Sequence, residues 1–215
     1  MSFRREGTDV EYGLLEAGEV DGMARLLGDT FSRDDPPSVA LELSSADIRS
    51  LVSAFGDRAL SEQLTVVARD ASTGQLVGAL LSDDFGTPLP PGLGLAAPRL
   101  VPIGALLRSL DEQYRARHAV EPGTHLHLFM LGVSHGSSGR GIARKLIETC
   151  VAHGKRRGYS TAVTEATGRI SQHLFRKLGF EELFGASYQG FLFDGQPVFS
   201  SIAEPEGTLL MVRRI

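Results

Sequence analysis

The sequence predicts a single α/β (α+β) domain over residues 1–215, and three observations predict it. Hydrophobic spacing switches between the period of two that marks strands and the 3.6-residue period of amphipathic helices. It does so in the order β-α-α-β-β, then a helix, then β-α-β-α-β-β. No internal repeat, low-complexity tract or interdomain linker interrupts that order. Finally, 42% of the 215 residues are hydrophobic and 22% charged; a chain of this size buries roughly 70% of its unfolded surface and needs neither disulfide nor metal to fold.

Val10 to Leu15 suits a first strand, and Glu19 to Phe31 sets Val20, Met23, Leu26, Leu27 and Phe31 at helical spacing. Ser44 or Ser45 caps a second helix from Ala46 to about Leu60, with Ile48, Leu51, Val52 and Phe55 on one face. Leu64 to Arg69 and Leu76 to Leu81 are strand-like runs joined by Asp70-Ala71-Ser72-Thr73-Gly74, a hairpin signal. Asp83 to Gly104 holds five of the ten prolines and is expected to be a long surface loop, either a lid over a substrate or a plain insertion. Ile103 to Arg117 reads as a helix with Ile103, Leu106, Leu107 and Leu110 in its buried stripe, and Pro122-Gly123 breaks the chain. Thr124 to Val133 is a strand, and Gly141 to Arg157 a helix whose Ile142, Leu146, Ile147, Cys150 and Val151 face one way. Ser160 to Glu165 is a strand, Arg169 to Leu178 a helix, Phe180 to Phe193 one or two strands, and Thr208 to Arg214 a closing strand.

Composition narrows the function classes. Cys150 is the single cysteine, which forbids an internal disulfide and leads to the expectation of a reducing, cytoplasmic compartment. No apolar run approaches the roughly 20 residues that span a bilayer, and Met1 to Val10 lacks the apolar core of a signal peptide. Neither a membrane nor an export route is expected. A balance of 22 Lys+Arg against 26 Asp+Glu, net −4, argues against nucleic acid as a partner, because phosphate binding depends on clustered cations. The cluster Lys155 to Arg157 reads as a solvated helix end.

The stretch richest in chemistry runs from Leu131 to Ala143, where a strand ends, a glycine-rich turn follows and a helix begins. Such a turn aims free backbone N–H groups and the positive end of a helix dipole at one point, which suits a phosphate or pyrophosphate; an ordinary tight turn is the plainer reading. A P-loop needs Lys and Ser/Thr after Gly136-x-x-x-x-Gly141, and Ile142 and Ala143 stand there instead. A dinucleotide-binding Gly-x-Gly-x-x-Gly starting at Gly139 meets Arg144 at its third small position, although Glu165 ends a strand somewhat over 20 residues on.

A third pattern fits. Ser138-Gly139-Arg140-Gly141-Ile142-Ala143 resembles the acyl-CoA pyrophosphate loop Gln/Arg-x-x-Gly-x-Gly/Ala of the GCN5-related N-acetyltransferases (GNAT). Leu131-x-Val133 resembles the end of that family's splayed fourth strand, and Leu174-Phe175-Arg176-Lys177-Leu178-Gly179-Phe180 its Leu-Tyr-x-Lys-Leu-Gly-Phe signature. The resemblance covers Thr124 to Leu183. It implies the GNAT fold, a mixed central sheet of about seven strands with the fourth and fifth splayed, and acetyl-CoA as co-substrate without a metal. Leu131, Gly132 and Val133 would pair with pantetheine as with a neighbouring strand, a main-chain N–H near Leu131 would face the thioester oxygen, and Ser138 to Ala143 would hold the pyrophosphate. Ser138 replaces the family's Gln or Arg, which removes one charged contact.

The same resemblance supplies two candidates for the base that deprotonates the amine. Phe31-Ser32-Arg33-Asp34-Asp35-Pro36-Pro37 is similar to the Phe-x-x-x-Glu-Pro-Leu segment of the arylalkylamine and dopamine N-acetyltransferase branch, with Asp35 on the acidic base; a solvated Asp-Pro turn is the alternative. His127 is the other, placed by strand alternation on one face with His125, Phe129 and Leu131. His125 and His127 as a metal pair would lack a third ligand. At the position of the family's Tyr acid stands Phe175, which cannot donate a proton but remains in the cofactor-binding set. Thr167 and Ser171, also in the cofactor-binding set, match hydroxyls that the arylalkylamine branch carries one turn earlier, Ser171 being the candidate to contact sulfur or base; a helix-start hydroxyl capping the backbone is the alternative, for Thr167 in particular. Ile103 to Asp111 resembles that branch's extra central helix. The function implied is acetyl transfer from acetyl-CoA to a primary amine of a small molecule by direct attack in a ternary complex, by a monomer or homodimer. The alternatives are a non-catalytic acyl-CoA sensor and a peptide or protein N-acetyltransferase.

Overall fold

The computed structural model describes residues 9–215, so the expectation about Met1 to Val10 lies outside it except at Asp9 and Val10. Seven strands form one mixed sheet in the order β1-β2-β3-β4-β5-β7-β6. They are β1 (Val10–Leu14), β2 (Val66–Asp70), β3 (Leu76–Asp84), β4 (His125–Val133), β5 (Thr161–Ala166), β6 (Glu181–Ser187) and β7 (Gly207–Arg214). Among the described residues only β4 and β5 pair in parallel; the other neighbours are antiparallel. That parallel pair is joined by the crossover helix α7 (Ile142–Arg156; helices are numbered in chain order).

On one face, α1 (Val20–Asp34), α3 (Ser45–Ala54) and α6 (Val101–Arg115) bury Met23, Leu27, Ile48, Val52 and Leu106 against Ala79, Leu81 and Met130. On the other, α7 buries Ile142, Leu146, Ile147 and Cys150 against Val66, Leu80, Leu126 and Leu128. Each of these large apolar side chains contributes roughly 1.5–3 kcal/mol by leaving water. Ser44 caps α3 by accepting from the Asp47 N–H, and Asp70 accepts from the Ser72 and Thr73 N–H groups in the β2–β3 hairpin turn, both as the residue types require.

The order of strands and main helices is that read from the sequence, and four local expectations change. The helix expected from Ala46 to Leu60 is two, α3 and α4 (Gly56–Glu62), because the chain turns at Phe55 to bury that ring against Phe129, centroids 5.1 Å apart. The long loop expected over Asp83 to Gly104 is shorter. β3 continues to Asp84, the short helix α5 (Leu93–Ala96) and a 3-10 turn (Pro98–Leu100) follow, and α6 starts at Val101. Pro98 and Pro102 occupy first-turn positions, where a missing N–H costs nothing, and Ala97 and Leu100 are buried in the core. A short helix not expected from the sequence, α2 (Pro36–Ala40), follows α1 directly. The stretch after Phe180, expected as one or two strands, forms the single strand β6, and Tyr188 and Phe199 in the connection to β7 are fully buried in the α1/α3-side core.

The fourth change bears on the site. The β3–β4 register shifts between Leu81 and Ser82, whose partners are Met130 and Leu128, so Phe129 is an extra residue in β4. Strict alternation would put Phe129 and Leu131 on one face. Instead Phe129 and Met130 pack on the α1/α3 side, while Leu131 and Val133 pack on the α7 side.

Candidate active site

β4 and β5 pair over three positions only, from His125↔Thr161 to His127↔Val163, and then part. Thr164 Oγ1 donates to Leu128 O at 2.9 Å across the opening. Ser134 N–H donates to Val77 O on the β3 side, so alternation turns the N–H and C=O groups of Leu131 and Val133 toward the gap. An extended molecule lying there would meet a strand edge. A Cβ on Gly132 would stand 2.8 Å from Leu27 Cδ2, so that side chain would have to shift.

Beyond the strand, His135–Ser137 form a 3-10 turn, and Gly139 and Gly141 adopt φ of +77° and +76°, conformations an L side chain rarely adopts. The helical ladder of α7 starts with Lys145 N–H to Gly141 O, which leaves the N–H groups of Ile142, Ala143 and Arg144 without helical acceptors. With the dipole of a 15-residue helix behind them, these donors fit an anionic phosphate. Ile142 itself is buried in the core, Arg140 is exposed, and Ser138 is exposed with Oγ 3.5 Å from Ser134 O. A cleft of about 590 Å³ lies between α1 and the Ser134–His135 turn, lined in part by Arg25, Leu26, Thr30 and Arg33.

Asp35 and Thr167 come together although 132 residues separate them: Thr167 Oγ1 donates to Asp35 Oδ1 at 2.5 Å. Asp35 is buried and is the N-cap of α2, its Oδ2 accepting from Ser38 N–H at 3.0 Å and Ser38 Oγ at 2.6 Å. It is therefore no solvated turn. Burial raises its pKa, and the Ser38 and Thr167 hydrogen bonds oppose that shift only in part. Ser171, on α8 (Arg169–Lys177), donates Oγ to Gly168 O at 2.8 Å and closes the helix start. A Cβ on Gly168 would touch both Pro36 and Ser171 at under 4 Å, so the Asp35 and Ser171 segments adjoin. Tyr188, fully buried, donates to Thr167 O at 2.7 Å and accepts from Thr208 Oγ1 at 2.9 Å. Phe175 packs in the α7-side core, 4.9 Å from the Phe180 ring centroid.

His127 sits elsewhere, at the last paired position of the fork, with both ring nitrogens taken. Nδ1 lies 2.8 Å from Asp83 Oδ1 on β3, and Nε2 lies 2.8 Å from Glu165 Oε2 on β5. Two acceptors require two N–H donors, so the ring is an imidazolium. Burial alone would depress its pKa, but the Glu165 and Asp83 carboxylates hold it well above the ordinary histidine value. Asp83 also pairs with Arg58 of α4 at 3.1 Å, and Arg58 with Glu62 at 2.9 Å. Among the described residues no group of three His, Cys, Asp or Glu side chains is arranged for a metal ion. His125 is spent on Tyr114 OH at 3.0 Å and Thr124 Oγ1 at 2.7 Å. Asp83, Asp111 and Arg58 are not among the candidates drawn from the sequence. Their signal is a charged residue on the inward face of a strand or helix, which is costly unless paired.

The acetyltransferase (GNAT) family model matches residues 33–180, from the end of α1 through Phe180. The chain belongs to that family. The GNAT membership carries acyltransferase activity with it, and the splayed fourth and fifth strands are the fold expected from the resemblance. Solved structures share the fold at low identity. The arylalkylamine N-acetyltransferase 2 of Aedes aegypti is 20% identical with a TM-score of 0.78, covering 97% of this chain and 100% of that one. The polyamine N-acetyltransferase of Drosophila melanogaster, which forms N-acetylagmatine, is 21% identical with a TM-score of 0.76, covering 96% and 100%. The C-terminal condensation domain of Ebony, solved with beta-alanyl-dopamine, is 14% identical with a TM-score of 0.88, covering 96% and 99%.

Proposed function

We propose that the protein transfers acetyl from acetyl-CoA to a primary amine of a small molecule, by direct attack in a ternary complex with Asp35 as the base. The observation that carries this reading is the buried Asp35–Thr167 contact, which sets a carboxylate of raised pKa at the open end of β5. A carboxylate whose pKa burial has raised is a better proton acceptor near neutral pH than a solvated one. His127 is already protonated on both nitrogens and so has no lone pair for an amine proton.

Acetyl-CoA supplies the activated thioester. The edges of Leu131 and Val133 hold the extended arm, with Leu131 N–H directed at the thioester oxygen. The Gly139–Ala143 turn meets the pyrophosphate, and Asp35 takes the proton released as the amine nitrogen bonds to the acyl carbon and the C–S bond breaks. Thr167 orients Asp35, and Ser171 stands beside the departing sulfur. No acyl-enzyme is formed on Cys150, whose thiol is fully buried with its pKa pushed up to about 12.

Thiol release from acetyl-CoA against a panel of aromatic amines, diamines and short peptides tests the reading. Asp35→Asn is expected to lower kcat/KM on the best amine by about 100-fold or more, in the range for loss of a general base. Full activity of that variant refutes Asp35 as the base. A second reading, condensation of an aminoacyl rather than an acetyl group with the amine, is supported by the likeness to the Ebony domain at a TM-score of 0.88; β-alanyl-CoA in the same assay separates the two.

A further inference from the structure

The fork has a floor of carboxyl groups that the proposed transfer does not use. Glu165, 8% exposed, aims Oε1 at no hydrogen-bond donor, and Asp111 Oδ1 on α6 is likewise buried and without a partner. Two bare carboxylates held away from bulk water repel one another, and one proton shared between them relieves both. Asp111 holds it, its pKa pushed up to about 8 by burial and by Glu165.

The groups facing this pair leave it short of positive charge. His127 from β4 contacts Glu165, and Asp83 from β3 takes the other side of the same ring. Arg58 from α4 is divided between Asp83 and Glu62. Arg115, one turn along α6, lies over the Phe85 ring and donates to Phe85 O. Glu62, Asp83, Asp111 and Glu165 thus stand against Arg58, His127 and the more distant Arg115, and the shared proton supplies the charge still missing. Asp111 is only half-buried, so the pair is not sealed from solvent.

We propose that Asp111 and Glu165 form a subsite for a cationic group of the substrate, a primary ammonium or guanidinium distinct from the reacting nitrogen, whose binding displaces the shared proton to solvent. The group has two sources: the second basic end of a diamine acceptor, or the amino group of an aminoacyl thioester. The inference rests on the small-amine transfer reading and names its substrate class.

Calorimetry on the full chain at pH 7, in two buffers of different protonation enthalpy, reads the displaced proton without turnover. Putrescine titrated into the CoA-saturated protein tests the first source against butylamine, and β-alanyl-CoA tests the second against acetyl-CoA. The expected result is release of close to one proton by one member of either pair and none by its uncharged-end counterpart, the member identifying the source. No proton released by putrescine or by β-alanyl-CoA overturns the subsite. Asp111→Asn is expected to lower the kcat/KM ratio of the cationic substrate over its counterpart by about tenfold or more, the loss of one charge-assisted contact; an unchanged ratio also overturns it. If thiol release is absent for every amine, the transfer reading fails on its own, while the calorimetric arms still decide the subsite.

Discussion

Asp111→Asn has a second consequence, for stability. In the folded protein the Asp111 carboxyl keeps its proton to about pH 8 against a reference value of 3.8. Between those values the folded state binds one more proton than the unfolded state, so stability falls as pH rises. The contribution is fully present below the unfolded pKa and lost once pH passes the folded one. About 4 units at ~1.4 kcal/mol each set an upper bound of ~6 kcal/mol. Water reaching the half-buried side chain relaxes part of the penalty, so roughly half of the bound is expected. Asparagine offers Glu165 Oε1 an N–H donor at every pH and carries no charge to lose. Urea unfolding of both proteins from pH 5 to 9 checks this. The variant's advantage is expected to grow with pH, at up to ~1.4 kcal/mol per unit, and to level off above pH 8. Groups that titrate alike in both proteins cancel in that difference. A difference that is flat with pH, or a variant less stable at pH 8, refutes the shared proton.

Three further outcomes follow from the same geometry. His127→Ala strips Glu165 and Asp83 of the cation between them and is expected to cost about 3–5 kcal/mol at pH 7 by urea unfolding; in the wild type, nitrogen NMR should show His127 doubly protonated well above pH 6.5. Wild-type behaviour in either measurement contradicts the imidazolium. Gly141→Val places a β-branched side chain at a φ of +76°, an expected loss of roughly 1–2 kcal/mol, together with weaker CoA binding in calorimetry. Unaltered CoA affinity would detach the turn from the pyrophosphate. Cys150, fully buried beside Ser82, is expected to resist a maleimide in the native protein at pH 7 and to react on unfolding; rapid native labelling would contradict its place in the core.

How much could be read in advance depended on how local each feature is. The alternation of strands and helices, the Asp70–Gly74 hairpin turn and the apolar stripe of α7 are written in residues a few positions apart, and they stand as read. So does the Gly139-x-Gly141 turn, because positive φ and an open helix start need particular residues at neighbouring positions. The helix α2 was missed although its signal is equally local: Asp35-Pro36 is an N-cap followed by proline in the first turn.

The sequence by itself determined the family, the element order and the glycine turn before α7, since period, turn chemistry and motif spacing are short-range properties of the chain. Tertiary structure alone decided the rest of the site. The extra residue at Phe129 appears only when β4 is laid against β3, and it moves Leu131 to the opposite face. His127 looks like a free base in a strand until Asp83, 44 residues away, and Glu165, 38 residues away, occupy its two nitrogens. Asp35 looks like a turn until Thr167 closes on it from the far end of β5. For His127 and Asp35 the protonation state is set by burial and by partners distant in the chain, and neither exists before the sheet is assembled.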